Sequence, residues 1–281
     1  MSTALPRVER VVLMPSTPYQ LVTQRGSFRV AVDGDPAAPA LVLSNSLGTT
    51  LEMWTPQVDA LARHWRVIRY DTRGHGGSPV TPGPYSFDAL GADVLAVLDA
   101  LDVQQAAFCG LSMGGHTGLW LGVHAAERLS ALVVCNSAAK IGTAQAWQER
   151  AAAVRSGGAN GMQALADSAP GRWFTEAFVQ AQPVVVQQVQ AGLARIDPEG
   201  YAACCEALAS SDLRGELARI TTPTLLLAGA ADPVTTVADA EAMQAAIASS
   251  QLAVVQASHL SNVEAPQAFT TQLMHFLTRV R

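Results

Sequence analysis

The chain has 281 residues, a hydrophobic content of 49% and a formal net charge of −5. This length and apolar content suit one large domain, or a core that carries an inserted subdomain. The sequence contains no run of lysines or arginines that would follow a phosphate backbone, so nucleic acid is not an expected partner. It also contains no stretch of the roughly 18 apolar residues that a membrane span requires, and we expect a cytoplasmic protein.

The first half of the chain predicts a hairpin followed by alternating strands and helices. Residues 1–16 precede these elements as an N-terminal extension. Helices are expected over about 56–63 and from residue 86 onward, where apolar side chains recur on one helical face. Strands are expected over 19–23, 28–32, 40–43, 66–70 and 106–109. The regular alternation after the hairpin is typical of a parallel sheet.

The alternation breaks after a further strand at 131–135. Residues 138–211 are rich in alanine and glutamine and have a helical pattern. Within them, Asp197 stands directly before Pro198, an arrangement that caps a helix with proline at its first position. We therefore predict that 138–211 is an inserted helical lid.

Two more strands, at 224–227 and 252–255, and a terminal helix complete the pattern. The core would thus consist of residues 17–137 and 212–281. The predicted fold class is α/β, with a mostly parallel central sheet flanked by helices.

A G-x-S-x-G pattern runs from Gly110 to Gly114, between the predicted strand at 106–109 and a helix-compatible run. A strand-to-helix turn this tight leaves no room for Cβ atoms two positions either side of its apex, so glycine is required there. Ser112 at the apex would stand at the helix N-terminus, where free N–H groups favour a developing negative charge. Ser112 is the predicted nucleophile.

Two polar residues follow predicted strands, at the sheet edge where catalytic groups gather. Asp232 follows the strand at 224–227 and His259 follows the strand at 252–255, which gives the chain order serine, acid, histidine. A serine hydroxyl needs an imidazole base, and the imidazole needs a carboxylate. Taken singly, Asp232 suits a turn and His259 a buried histidine, but together they predict a triad, with Asp212 as the reserve acid.

Four segments resemble the α/β-hydrolase superfamily: 44–48, 69–76, 109–115 and 259–264. The second and third are typical of the whole superfamily. The first has Asn45-Ser46 where most relatives have His-Gly, and together with the last it resembles the 3-oxoadipate enol-lactonases of aromatic catabolism. The resemblance extends over about 17–281 and is weaker in the lid.

The resemblance implies an enzyme that opens 3-oxoadipate enol-lactone, a small anionic lactone, in the β-ketoadipate route. The expected chemistry is acyl transfer to water, which requires no cofactor. The oxyanion is expected to bind the backbone N–H groups of Leu47 and Met113. The four cysteines lack the spacing of a zinc site, so no metal is expected. We expect the cysteines to be buried free thiols.

An anionic substrate calls for a cation inside the pocket, because the net charge of the protein is negative. Lys140, the single lysine, stands where the lid begins and is the first candidate, with a solvated loop position as the alternative. Arg172 is the next candidate, whereas Arg73 is expected to brace its own glycine-rich turn. Trp147 is expected either to form an apolar wall of the pocket or to anchor the lid.

Other functions fit the same motifs. A carboxylesterase for small substrates or a cofactor-free perhydrolase would use the same triad, and so would a hydrolase of carbon–carbon bonds. A binding protein without activity is the alternative of another class, against which the intact triad argues. The oligomeric state is not indicated by the sequence.

Overall fold

The structure, a computed structural model, describes residues 16–280. The N-terminal extension predicted over 1–16 therefore lies outside the described residues, except for Ser16. The N–H of Ser16 donates a hydrogen bond of 2.6 Å to Asp33 Oδ1. This bond attaches the start of the described chain to the central sheet.

An eight-stranded sheet forms the centre of the described residues. Its strands are β1 (Tyr19–Thr23), β2 (Gly26–Asp33), β3 (Ala40–Ser44), β4 (Arg66–Tyr70), β5 (Ala106–Leu111), β6 (Leu129–Cys135), β7 (Thr224–Gly229) and β8 (Ser250–Val255). In space their order is β1-β2-β4-β3-β5-β6-β7-β8. β2 is antiparallel to β1 and β4, and all other neighbours are parallel. The predicted mostly parallel sheet is confirmed.

The central strands are buried on both faces, because their side chains alternate between two apolar cores. In β3, Leu41 and Leu43 belong to one core and Val42 to the other. In β5, Cys109 belongs to the first of these cores and Phe108 to the second. Continuous apolar runs are the sequence sign of such strands, and each fully buried large side chain stabilises the fold by roughly 1.5–3 kcal/mol.

Helices cover both faces of the sheet. They are α1 (Thr55–Leu61), α2 (Phe87–Ala100), α3 (Met113–His124), α4 (Ala144–Ser168), α5 (Pro170–Trp173), α6 (Glu176–Ala181), α7 (Pro183–Ala194), α8 (Pro198–Ser210), α9 (Val237–Ala246), α10 (Ser261–Glu264) and α11 (Pro266–Arg279). Helices α1 and α11 pack chiefly against one core, and α2, α3 and α9 chiefly against the other. No helix in the described part of the chain is long and apolar enough to cross a membrane.

Helices α4 to α8 follow one another between β6 and β7, and we call residues 144–210 the helical insertion. Its longest helix, α4, is interrupted at Gly158, where φ is 52°. The predicted cap of α8 is confirmed, because Asp197 Oδ1 accepts the N–H groups of Glu199 and Gly200 while Pro198 occupies the first helical position.

Several predicted element ends were wrong by a few residues. The break expected around Gly26 is shorter, because Thr23 pairs directly with Gly26 across the hairpin. The strand expected to end at 109 continues to Leu111, one residue before Ser112. All four cysteines are free and buried, as expected.

Candidate active site

Ser112 is the one residue between β5 and α3, and its backbone is strained. Its φ of 57° lies in the left-handed region that side chains other than glycine rarely adopt. A Cβ atom at Gly110 would lie 2.1 Å from the carbonyl oxygen of Gly114, and one at Gly114 would lie 2.3 Å from that of Ser44. Neither position admits another residue. The turn therefore holds the Ser112 hydroxyl at the carboxyl edge of the sheet.

Ser112, His259 and Asp232 form a continuous hydrogen-bonded chain. Ser112 Oγ lies 2.9 Å from His259 Nε2, and His259 Nδ1 lies 2.8 Å from Asp232 Oδ2. Asp232 follows β7 and His259 follows β8, so the parallel strands bring both to the edge where β5 delivers the serine. This arrangement has the geometry of a triad in which Nδ1 donates to the carboxylate and Nε2 faces the hydroxyl.

The Asp232 carboxylate is buried and saturated with donors. Burial by itself would raise its pKa, but hydrogen bonds from His259 and Asn136 lower it, and the pKa lies below its ordinary value. The donors are His259 Nδ1, Asn136 Nδ2, Thr235 Oγ1 and the backbone N–H groups of Val234 and Thr235. The group is therefore held as an anion in one orientation.

Asn136 was not predicted from the sequence; it follows β6, and its Nδ2 donates to Asp232 Oδ2 at 3.0 Å. Its own Oδ1 accepts from Ser261 Oγ at 2.5 Å. The strand-exit rule that found Asp232 would also have found this residue. Asn136 has a φ of 43°, a conformation that asparagine tolerates better than most residues.

Two backbone N–H groups beside the triad have no partner in the described part of the chain. Within residues 16–280, no acceptor is found for the N–H of Leu47 or of Met113. Met113 is the first residue of α3, where an N–H has no partner within the helix. The adjacent N–H groups are all bonded, namely those of Ser46, Gly48, Ser112 and Gly114. The two free donors can serve an anion at this site.

A cavity of about 260 Å³ opens over Ser112 and His259. This volume lies just below the range common for drug-sized ligands and suits a smaller molecule. One wall comes from the sheet-edge loops and the other from the helical insertion. The lining residues are Ser46, Leu47, Ser112, Ile141, Gly142, Ala146, Trp147, Arg150, Arg172, Trp173, Leu193, Tyr201, Pro233, Val234 and His259.

Two arginines of the helical insertion line this cavity, Arg150 from α4 and Arg172 from α5. No carboxylate within residues 16–280 forms an ion pair with either of them. Burial and the nearby positive charge of Arg150 lower the pKa of Arg172. Two positive charges that face one cavity and have no carboxylate partner among the described residues would attract an anion.

Trp147 is a buried residue of α4. It lines the cavity, and its Nε1 donates a hydrogen bond of 2.5 Å to the carbonyl oxygen of Ile141, three residues before the helical insertion begins. The guanidinium of Arg150 also lies over its ring, 4.8 Å from the centroid. The indole thus supports one of the two cavity arginines.

Lys140 is placed elsewhere, and the expectation for it is corrected. Its Nζ lies 3.3 Å from Asp212 Oδ2, and it is not among the cavity-lining residues. Asp212 also accepts from Arg214, and this hydrogen bond lowers the pKa of Asp212 below its ordinary value. The reserve acid is therefore engaged with two cations, whereas His259 bonds Asp232. Arg172, the second candidate, does line the cavity.

Comparison with known proteins agrees with this architecture. The alpha/beta hydrolase fold family matches residues 39–266. The chain is 51% identical to 3-oxoadipate enol-lactonase 2 of Acinetobacter baylyi over 89% of this chain and 92% of that protein. It is 46% identical to 3-oxoadipate enol-lactonase 1 of the same organism over 92% of this chain and 96% of the relative.

Among solved structures, the enol-lactonase from Burkholderia xenovorans LB400 superposes with a TM-score of 0.90 at 43% identity. The match covers 92% of this chain and 100% of the enol-lactonase chain. This likeness includes the helical insertion as well as the sheet, since so large a share of both chains is covered. The chain therefore belongs to the α/β-hydrolase family and is similar over most of its length to that family's 3-oxoadipate enol-lactonases.

Proposed function

We propose that this protein is a serine hydrolase that opens 3-oxoadipate enol-lactone to 3-oxoadipate in the β-ketoadipate route. The observation that carries the proposal is the shared cavity, in which Ser112 and His259 face two arginines that have no acidic partner within residues 16–280. The names and high identity of the two enol-lactonase relatives support it. An enzyme of this route acts on an intermediate made inside the cell, so a cytoplasmic location belongs to the proposal.

The first half of the reaction forms an acyl-enzyme. His259 Nε2 takes the proton of Ser112 Oγ, and the oxygen attacks the lactone carbonyl carbon. The negative charge that develops on the carbonyl oxygen is stabilised by the N–H groups of Leu47 and Met113. The bond between the carbonyl carbon and the ring oxygen then breaks. The ring oxygen leaves as an enolate that accepts the proton from His259 and tautomerises to the ketone.

The second half releases the product. His259 Nε2 takes a proton from water, and the hydroxide oxygen attacks the acyl carbon bound to Ser112 Oγ. Collapse of the second tetrahedral intermediate breaks the bond to Ser112, which regains its proton from His259. Asp232 stabilises the imidazolium in both halves and stays ionised, in keeping with its lowered pKa. The net reaction adds one water and transfers no electrons.

The substrate carboxylate is bound by Arg150 and Arg172. Each guanidinium offers a planar pair of N–H donors that matches a carboxylate. Neither has an acidic partner in the described residues that the substrate would have to displace. Trp147 and Trp173 supply apolar walls for the lactone ring.

The proposal includes a division of labour between two parts of the chain. Residues 17–137 and 212–281 form the hydrolase core and supply the triad and the oxyanion donors. Residues 138–211 form a lid that supplies both arginines and Trp147. The cavity lining supports this division, because it contains residues from both parts of the chain.

The test follows the loss of the enol-lactone's ultraviolet absorbance beside the hydrolysis of a panel of neutral esters. We expect the wild-type enzyme to prefer the lactone by at least about tenfold in kcat/KM, as one charge-assisted carboxylate contact provides. Ser112→Ala should abolish both activities. A wild-type protein that hydrolyses the esters and leaves the lactone intact would contradict the proposal and favour a small-substrate carboxylesterase.

A further inference from the structure

His75 lies in the glycine-rich turn after β4 and has no part in the reaction described so far. Its ring is buried, with only 1% of the residue exposed. Nε2 accepts a hydrogen bond of 2.9 Å from the N–H of Gly48, and Nδ1 lies 3.3 Å from the carbonyl oxygen of Arg73. These partners fix the tautomer, because Nε2 must present its lone pair to Gly48 and the proton must sit on Nδ1.

Gly48 belongs to a tight turn that contains one of the two free oxyanion donors. Thr49 N–H donates to the carbonyl oxygen of Ser46 at 3.1 Å, which closes a turn over residues 46–49. Gly48 is the third residue of this turn and has a φ of +80°, the signature of type II. In that turn type, the peptide group between Leu47 and Gly48 points opposite to its direction in type I.

The two peptide groups that flank Leu47 are held by different partners. The group before it, which carries the Leu47 N–H, is fixed within the turn, because the carbonyl oxygen of Ser46 accepts both the N–H of Thr49 and, at 2.8 Å, Thr49 Oγ1. The group after it is fixed through the N–H of Gly48, which donates to His75. With both peptide groups bonded, the N–H of Leu47 has no acceptor within residues 16–280 and a defined place at the wall of the cavity.

We propose that His75 is a positioning residue that keeps the Leu47 N–H in the oxyanion hole by anchoring the turn over residues 46–49 through Gly48. Glycine tolerates both signs of φ, so nothing in Gly48 itself prevents the central peptide from reversing. Reversal would turn the Leu47 carbonyl oxygen toward the Nε2 lone pair, and two acceptors repel each other. The neutral ring therefore selects the type II turn.

The ring stays neutral under working conditions. Burial lowers the pKa of His75 to about 4, against a smaller opposite effect of the hydrogen bond to Arg73. The ring centroid of His75 lies 6.4 Å from that of Tyr201, a residue that lines the cavity. At neutral pH the acceptor on Nε2 is thus present in almost every molecule.

The inference rests on the proposed serine-hydrolase site. The Leu47 N–H is a backbone group that no side-chain substitution removes, so substitution of His75 is an indirect way to test it. The experiment compares His75→Gln with His75→Asn. Glutamine can place an amide oxygen where Nε2 stands, whereas asparagine is one methylene too short to reach Gly48. The two variants have the same amide chemistry, so the reach of the acceptor is the main difference.

We expect His75→Asn to lower kcat for a neutral ester about tenfold or more while KM changes little, and His75→Gln to restore most of the loss. Removal of a whole oxyanion donor lowers kcat by about 10² to 10³, so the loss in His75→Asn should not exceed this factor. A boronic acid that forms a tetrahedral adduct with Ser112 should bind His75→Asn more weakly, by the same factor as kcat falls. Affinity for a non-covalent carboxylate ligand should change far less.

His116→Gln is the control for stability. His116 is another buried histidine, which packs on Phe87 and lies outside the cavity lining. We expect it to lower the melting temperature with kcat within about twofold of wild type. His75→Phe, which fills the ring volume without an acceptor, replaces His75→Asn should the latter not fold.

Equal kcat losses in the Gln and Asn variants, or losses confined to KM, would overturn the role of His75. So would an unchanged boronate affinity in a variant with reduced kcat. The neutral ester keeps this test separate from the proposed substrate. An enzyme that failed on the enol-lactone but hydrolysed esters would refute the proposed function and still report on His75.

Discussion

The two walls of the cavity differ in how their polar groups are bonded. On the core side, Asp232 accepts five hydrogen bonds, and His259 is held between this carboxylate and Ser112. On the side of the helical insertion, Arg150 and Arg172 have no acidic partner among the described residues. The core is preorganised for the reaction, whereas the insertion keeps charge available for a ligand.

This difference predicts that substitutions in the core act on every substrate and substitutions in the insertion act on some. The largest effect is expected from Asp232→Asn, which keeps the shape but favours the wrong tautomer of His259. The same change in another triad lowers kcat by about 10⁴. Initial rates on the enol-lactone and on a neutral ester should fall together.

Asp212→Asn is the matched control, since Asp212 is bonded to Lys140 and Arg214 instead of to a histidine. Its kcat should stay within about twofold of wild type. Should Asp232→Asn keep most of its activity while Asp212→Asn loses it, the carboxylates have been assigned in the wrong order.

The tight bonding of the core also predicts a dependence of stability on pH. Burial lowers the pKa of His75 and of His116 to about 4, below the ordinary 6.5, and backbone hydrogen bonds only partly oppose it. Between these values, the unfolded chain binds one proton more than the folded chain at each histidine. The free energy of unfolding should therefore fall as the pH drops from 6.5 toward 4, by about 1.4 kcal/mol per pH unit for each histidine.

Urea unfolding at several pH values across this window measures the slope. Asp232 contributes little there, because its pKa is lowered from an ordinary value of 3.8 and its effect comes at lower pH. His116→Gln should remove about half of the slope. An equal slope in wild type and in His116→Gln would mean that the His116 ring is already charged in the folded protein, whatever other groups contribute.

On the side of the insertion, Arg150→Ala and Arg172→Ala should each reduce kcat/KM for the anionic lactone by about 10- to 100-fold. A charge-assisted hydrogen bond contributes roughly 1.5–3 kcal/mol, which gives this range. The neutral ester should lose far less, since it has no carboxylate. Steady-state kinetics on both substrates measures the difference.

Lys140→Ala is the matched control, since it removes a cation that bonds Asp212 outside the cavity lining. We expect no selective loss on the lactone. A selective loss in Lys140→Ala together with normal lactone kinetics in both arginine variants would reinstate the lysine as the carboxylate ligand.

The contrast between the core and the helical insertion also explains which site residues the sequence could predict. Ser112, Asp232 and His259 follow directly from strand ends, and parallel strands carry their ends to one edge whatever the details of packing. The requirement for glycine at 110 and 114 is equally local. Such residues can be located from spacing, and the structure brings these three together.

The residues of the insertion obey no such rule. Lys140 is near the site in sequence, but its direction depends on the turn before α4, and it points to Asp212. Arg150 and Arg172 meet only because α4 and α5 fold over the same cavity. One local signal was available, since Arg150 lies three positions after Trp147 and so shares its helical face.

The smallest effect is expected from Trp147→Phe. Phenylalanine keeps an apolar ring in the cavity but loses the hydrogen bond from Nε1 to Ile141 and some of the surface under Arg150. A cation–π contact contributes about 0.5–1 kcal/mol at exposed sites and about 2 kcal/mol when desolvated. Because phenylalanine keeps part of the contact, KM for the lactone should rise only about two- to fivefold with kcat nearly unchanged. Trp120→Phe is the matched control, because it loses an indole hydrogen bond to Asp88 on α2, away from the cavity lining. An unchanged KM in Trp147→Phe with a lowered melting temperature would mean that this tryptophan only anchors the insertion, and that Arg150 keeps its direction without it.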